Sequence, residues 1–164
     1  MFARFGIGPA FDIDATDLER RYFDLQRRLH PDKFAGCPAK EREHSAQHTA
    51  NLNEAHKVLR SPLLRAEHLL RLRAHPMPNG AQTVADPEIL MHAMEMREAL
   101  SDATTRAEVE AVAARARAEA AEVVHELSAA FAANDLSAAE RLALRLRYLE
   151  KFAEEARDRR VRAA

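Results

Sequence analysis

A chain of 164 residues with a formal net charge of −1 holds one medium domain or two small ones, and its charge gives no whole-chain footprint for nucleic acid. With 4 glycines, no tryptophan and 5% aromatic residues, it has little material for a base-stacking surface, and its Ala, Leu, Glu and Arg bias points to an all-α fold. The lone Cys37 excludes an intrachain disulfide and a paired-cysteine metal site, and no apolar run approaches the roughly 18 residues that cross a bilayer.

The amino terminus, MFARFGIGPAF, shows neither a basic segment leading into an apolar stretch nor a small-residue cleavage site. Asp12 and Asp14 also come early for a transit peptide, so a cytoplasmic location is expected. His44 and His48 stand at i, i+4 without an obvious third ligand, so a solvated helix face is expected there, and neither metal nor cofactor.

In chain order, a short apolar piece at Phe2–Gly6 gives way to DIDATDLERRYFDLQRRLH, in which Asp14 or Thr16 caps a helix. Leu18, Tyr22, Leu25 and Leu29 fall on one stripe about 60° wide, with Arg20, Arg27 and Arg28 opposite. HPDKFAGCP breaks that helix, because Pro31 disfavours α geometry at His30 and has no N–H to donate. A long helix follows from near Ala39 to about Arg60, with Leu52, Ala55 and Leu59 on one face. Ser61-Pro62 reads as a new N-cap or, since Leu63, Ala66 and Leu70 prolong the stripe, as a kink in one continuing helix.

AHPMPNGAQTVAD, residues 74–86, loses periodicity around two prolines and an Asn79-Gly80 pair and reads as a linker. The expected division is 1–74, a linker at 75–86, and 87–164. Asp86-Pro87 opens a helix to about Leu100, and capping boxes at Thr105–Glu108 and Ser137–Glu140 open helices over roughly 105–132 and 137–160. Leu142, Leu146, Leu149, Ala153 and Ala156 form a stripe on the last of these. Three helices joined by short turns are expected to pack as an antiparallel bundle.

The break at residue 30 has two readings: a polar turn between helices, or a contact surface held at the tip of a hairpin. His-Pro-Asp alone is a weak signal. Between an arginine-faced amphipathic helix and a longer second helix it becomes a strong one. Proline also leaves His30 and Asp32 little backbone entropy to lose on binding. A loop tip offers no enclosed pocket, and no nucleophile adjoins the pair, so the chain is not expected to be an enzyme.

YFDLQRRLHPDKF resembles the J domain of DnaJ-type co-chaperones. The resemblance implies that His30, Pro31 and Asp32 stimulate ATP hydrolysis by a heat-shock chaperone ATPase of the HscA/DnaK type. It further implies that Arg27 and Arg28, with Arg20 and Lys33, meet an acidic patch on that ATPase.

In PEILMHAMEMREALSD, residues 87–102, Ile89, Ala93, Met96 and Leu100 make an ordinary core stripe. Leu90, Met91 and Met94 fall on a second face with Glu95, Glu98 and Asp102. Methionine suits an adaptable recognition surface, yet a helix buried on two sides would look the same, and periodicity leaves both open. Tyr148, about 100° off its helix's leucine stripe, is likewise either a contact or a half-buried aromatic.

ILMHAMEMREAL, with SPLLRAEHLLRL before it and LRLRYLEKF after, is similar over nearly the whole chain to the HscB family, J-type co-chaperones of iron–sulfur cluster assembly. That resemblance implies binding of an IscU-type scaffold protein through Leu90, Met91, Met94, Glu95, Glu98, Asp102 and Tyr148, and its delivery to the dedicated HscA-type ATPase. Met94 and Tyr148 replace the family's leucine and phenylalanine, the linker differs in detail, and the cysteine pairs of eukaryotic relatives are missing, which favours a bacterial type. A monomer or weak dimer is expected, without nucleic-acid or membrane partners. The competing readings are a general J-type co-chaperone for unfolded clients and a helical self-association module.

Overall fold

The computed structural model describes residues 1–34, 36–77 and 86–162. Among them are six α-helices and no strand: α1 (Ala15–Leu29), α2 (Ala39–Arg60), α3 (Pro62–Leu72), α4 (Pro87–Asp102), α5 (Arg106–Ala132) and α6 (Leu136–Arg162), with short 3-10 turns at Phe2–Phe5 and Pro31–Phe34. The all-α expectation holds. Most of the linker expected at 75–86, including Asn79-Gly80, lies outside the described residues. The chain divides into two compact units, Met1–Leu69 and Leu70–Ala164.

In the first unit Asp14 starts α1, its carboxylate accepting from the backbone N–H groups of Thr16 at 2.8 Å and Asp17 at 3.0 Å. Contacts between α1 and α2 step in opposite senses along the two helices, as an antiparallel hairpin requires. Glu19 meets His56 Nε2 at 3.0 Å, the Tyr22 hydroxyl donates to Asn53 at 3.0 Å, and the Tyr22 ring stacks on His56 at 4.0 Å. Leu18, Leu52, Ala55 and Leu59 are buried together with Phe2, Phe5 and Phe11 of the amino-terminal segment. Arg21 donates to the Phe5 carbonyl at 2.8 Å and ties that segment to α1. At Gly6 the backbone turns left-handed, φ 63°, which glycine accepts without steric cost.

α2 stops at Ser61, whose ψ of 122° is extended; the kinked-extension reading is therefore incorrect. Ser61 caps α3 instead, accepting from the Leu64 N–H at 3.2 Å, and Pro62 occupies the first helical position.

In the second unit Asp86 caps α4, and Thr105 with Glu108 forms the expected reciprocal capping box on α5. Three hydrogen bonds, from the Thr105 backbone N–H first and then from the backbone N–H and hydroxyl of Thr104, hold the Glu108 carboxyl down at about 2. The box expected at Ser137–Glu140 does not form. Asn134 adopts φ 55° just past the end of α5, and Asp135 caps α6 by accepting from the Ala138 N–H at 2.9 Å. Glu140 is drawn instead to His75 Nε2, at 2.7 Å.

Ion pairs set the bundle's directions. Glu88–Arg141 (3.3 Å) and Arg97–Glu155 (3.7 Å) run in step along α4 and α6, while α5 lies antiparallel to both, joined by His92–Glu119 (2.9 Å) and Arg160–Glu110 (2.8 Å). Arg159 donates to the Ser101 and Ala103 carbonyls at 3.0 and 2.9 Å, satisfying the end of α4. The α6 stripe is wider than its periodicity suggests. Leu146, Leu149 and Ala156 are buried as expected, joined by Ala139, Ala143 and Phe152, whereas Leu142 and Ala153 are only half-buried. The antiparallel three-helix bundle stands.

Candidate functional site

The hairpin tip begins where α1 runs out of donors. A helix carbonyl at Leu29 ordinarily accepts the N–H four residues on, at Lys33. Here the Lys33 N–H turns to the His30 carbonyl (3.0 Å) and the Asp32 N–H to His30 Nδ1 (3.3 Å), while Pro31 has none. These bonds curl Pro31–Phe34 into a 3-10 turn and leave His30 extended at ψ 129°. Because Nδ1 accepts from the Asp32 N–H, the neutral ring carries its proton on Nε2. The Asp32 carboxylate lies 3.5 Å from the same Nδ1.

The Leu29 carbonyl is not left bare. Ser45 and Thr49, one turn apart on α2, both donate their hydroxyls to it, at 2.8 and 3.0 Å. Ser45 is 4% exposed, the one buried polar residue among those described. Sequence reasoning missed both. They continue towards the tip the same face of α2 that buries Leu52 and Leu59, so the available signal was a pair of hydroxyls on a core stripe beside a helix break.

His30, Asp32 and Lys33 are exposed. Of the basic residues singled out, Arg20 pairs with Asp17 and Arg27 with Asp24 on their own helix, and Arg20, followed by Arg21, holds the Asp17 carboxyl below the usual carboxylate range. Arg28 and Lys33 have no acidic partner among the described residues. Cys37, just beyond the turn, is half-buried; desolvation and then the neighbouring Glu41 raise its thiol above the ordinary range. Among the described residues no group of three or more His, Cys, Asp or Glu side chains is placed to hold a metal ion.

On α4, Ile89, Met96 and Leu100 face the core while Met91 and Met94 are 60% and 69% exposed. Glu95, Glu98 and Asp102 are exposed on the same side, and Leu90 is half-buried beside them. The six positions carried over on α4 thus share one open face with an apolar centre and acidic margins. Tyr148 stands apart from it. It lines a groove of about 560 Å³ between α4 and α6, with Ile89, Ala93, Met96, Leu142 and Leu149, a set that includes none of the other six.

A family model described as the HSCB C-terminal oligomerisation domain matches residues 85–157. The chain is 34% identical over 153 residues to the iron-sulfur cluster co-chaperone protein HscB of Mus musculus, covering 93% of this chain and 65% of that protein. It is 46% identical over 101 residues to the co-chaperone protein HscB homolog of Shewanella sp. strain ANA-3, covering 62% and 58%. It thus spans 65% and 58% of the length of these relatives. The crystal structure of human co-chaperone protein HscB superposes with a TM-score of 0.92 at 28% identity, covering 98% of this chain and 81% of the human one.

Proposed function

Since the chain belongs to the HscB family of iron–sulfur cluster co-chaperones, we propose that it is a non-catalytic adaptor with two binding sites. Its hairpin unit, residues 1–74, acts as a J domain that docks on an HscA-type chaperone ATPase and accelerates its ATP hydrolysis through His30, Pro31 and Asp32. Arg28 and Lys33 supply uncommitted positive charge for the encounter, and Arg20 and Arg27 join by exchanging their intrahelical acids for the partner's. Rim charges of this kind act mainly on the association rate.

The bundle, residues 87–164, holds an IscU-type scaffold protein on the outer face of α4 through Leu90, Met91 and Met94, with Glu95, Glu98 and Asp102 around them and Tyr148 at the neighbouring groove. The observation that carries this reading is the exposure of Met91 and Met94 on a helix whose Ile89, Met96 and Leu100 are buried. Large apolar side chains inside an acidic margin suit a folded partner with a basic-edged apolar patch. The lone cysteine accords with a reducing cytoplasm, and a monomer or weak dimer presents both sites.

The deciding experiment mixes the chain with purified ATPase and scaffold. The expected outcome is a ternary complex with raised steady-state ATP hydrolysis. A chain that binds neither protein would overturn the reading, and concentration-dependent sedimentation without scaffold binding would assign the α4 face to self-association.

A further inference from the structure

We propose that Ser45 and Thr49 are positioning residues for the ATPase-stimulating loop, an assignment that rests on the J-domain reading above. The loop consumes its own donors: the Asp32 and Lys33 N–H groups both turn inward to His30, at 3.3 and 3.0 Å, and Pro31 has no N–H. The Leu29 carbonyl therefore loses its intrahelical partner at the residue that aims His30. Both of its lone pairs are taken from outside the helix, by the Ser45 hydroxyl at 2.8 Å and the Thr49 hydroxyl at 3.0 Å. Two hydroxyls at i and i+4 project from one face of α2 onto this single oxygen.

The consequence is geometric. Leu29 is the last helical residue of α1, and its carbonyl plane is rigidly joined through the peptide bond to the His30 nitrogen. Anchoring that oxygen to α2 fixes the direction in which the chain leaves α1, and with it the orientation of His30 and Asp32. Without the hydroxyls, the carbonyl has to find water or reclaim the Lys33 N–H, and reclaiming it prolongs α1 by undoing the 3-10 turn. Ser45 and Thr49 touch no partner in this scheme. They preorganise the loop that does, so binding then loses less conformational freedom.

The test compares Ser45→Ala, Thr49→Val and the double variant in the full chain, titrated against the chaperone ATPase. The expected result is a rise of about tenfold in the concentration giving half-maximal stimulation for the double variant, since losing the preorganisation supplied by two hydrogen bonds costs on the order of that factor. Each single variant leaves one hydroxyl on the oxygen and shows a smaller rise. Ser45→Thr and Thr49→Ser, which keep the donors, restore near-normal titrations. Val58→Ala serves as the structural control: it loosens the same helix at a buried site away from the tip. If Val58→Ala, at equal thermal destabilisation, raises the half-maximal concentration as much as the double variant, the role is generic stability and the proposal fails. It fails equally if the double variant stays folded and titrates like the parent chain. Should the parent chain itself not stimulate, while His30→Gln changes nothing, it is the J-domain reading that falls.

Discussion

Truncating Met91 and Met94 to alanine together separates partner binding from folding. Fully burying a methionine is worth about 1.5–3 kcal/mol. At 60% and 69% exposed, the two side chains have spent only about a third of that on the bundle, so each truncation should lower folding stability by about 0.5–1 kcal/mol. The remainder is available to a partner, about 1–2 kcal/mol per side chain, or about 2–4 kcal/mol for the pair. At about 1.4 kcal/mol per decade, scaffold affinity should fall between about 30-fold and 1,000-fold.

The control lies on the same helix. Met96 is 2% exposed, packed with Leu100, Ala103, Val109 and Phe152, and its truncation should cost about 2–5 kcal/mol of stability through the cavity it leaves. Isothermal titration with the scaffold and thermal melts by circular dichroism measure both quantities on both proteins. Unchanged scaffold affinity in the Met91/Met94 variant would refute the assignment of the face. Destabilisation as large as that from Met96→Ala would show that these side chains are core.

Four further outcomes are expected. His30→Gln should abolish ATPase stimulation in a steady-state assay while leaving the melting curve and scaffold titration unchanged; persistent stimulation places the active tip elsewhere. Arg28→Ala with Lys33→Ala should slow association with the ATPase at low salt and matter progressively less as salt rises above about 0.15 M, where screening is already strong; a salt-independent defect contradicts an electrostatic role. Glu108, held at about 2 in the folded bundle, favours folding above its ordinary carboxyl value. That contribution should disappear as pH falls from about 4.5 towards 2, so Glu108→Gln should flatten the acid limb of bundle stability in urea titrations at stepped pH. Asp135→Ala should cost about 0.5–2 kcal/mol as the loss of an N-cap, against a near-neutral Ser137→Ala, and the reverse order would restore the Ser137 box.

Local chemistry made most of the hairpin unit legible. Pro31 stops α1, Asp14 starts it, and α2 runs over the residues its flanking turns allow, because each boundary is decided by groups within a few residues of it. Where distant parts of the chain compete, the reading failed. Ser137-Ala-Ala-Glu140 has the composition of a capping box, but Asn134 turns left-handed and admits Asp135 first, while Glu140 is claimed by His75 from 65 residues away. The leucine repeat that suggested a kinked α2–α3 ignored that Ser61 satisfies α3 better as an extended cap. Ser45 and Thr49 were invisible for the same reason, since their partner is a carbonyl on another helix. On α4, periodicity separated two faces without telling which one was covered. Only burial assigns Ile89 and Met96 to the core and Met91 and Met94 to the outside.

Each proposed site draws its residues from a single unit. His30, Asp32 and the Ser45–Thr49 anchor lie in the first, and the exposed α4 face and Tyr148 in the second. Neither site needs a residue from the other, so substitutions in one should leave the partner of the other bound at its normal affinity, and double variants should combine additively. On the proposed reading, a chain that binds both partners raises the effective concentration of the scaffold at the ATPase. A mixture of two full-length variants, one carrying His30→Gln and the other the Met91/Met94 truncation, should therefore preserve both individual bindings and the ATPase response to the hairpin. It should also abolish the extra capture of scaffold that the parent chain gives at micromolar concentrations. If that mixture recruits scaffold as well as the parent chain does, joining the two sites in one chain contributes nothing and the adaptor reading fails.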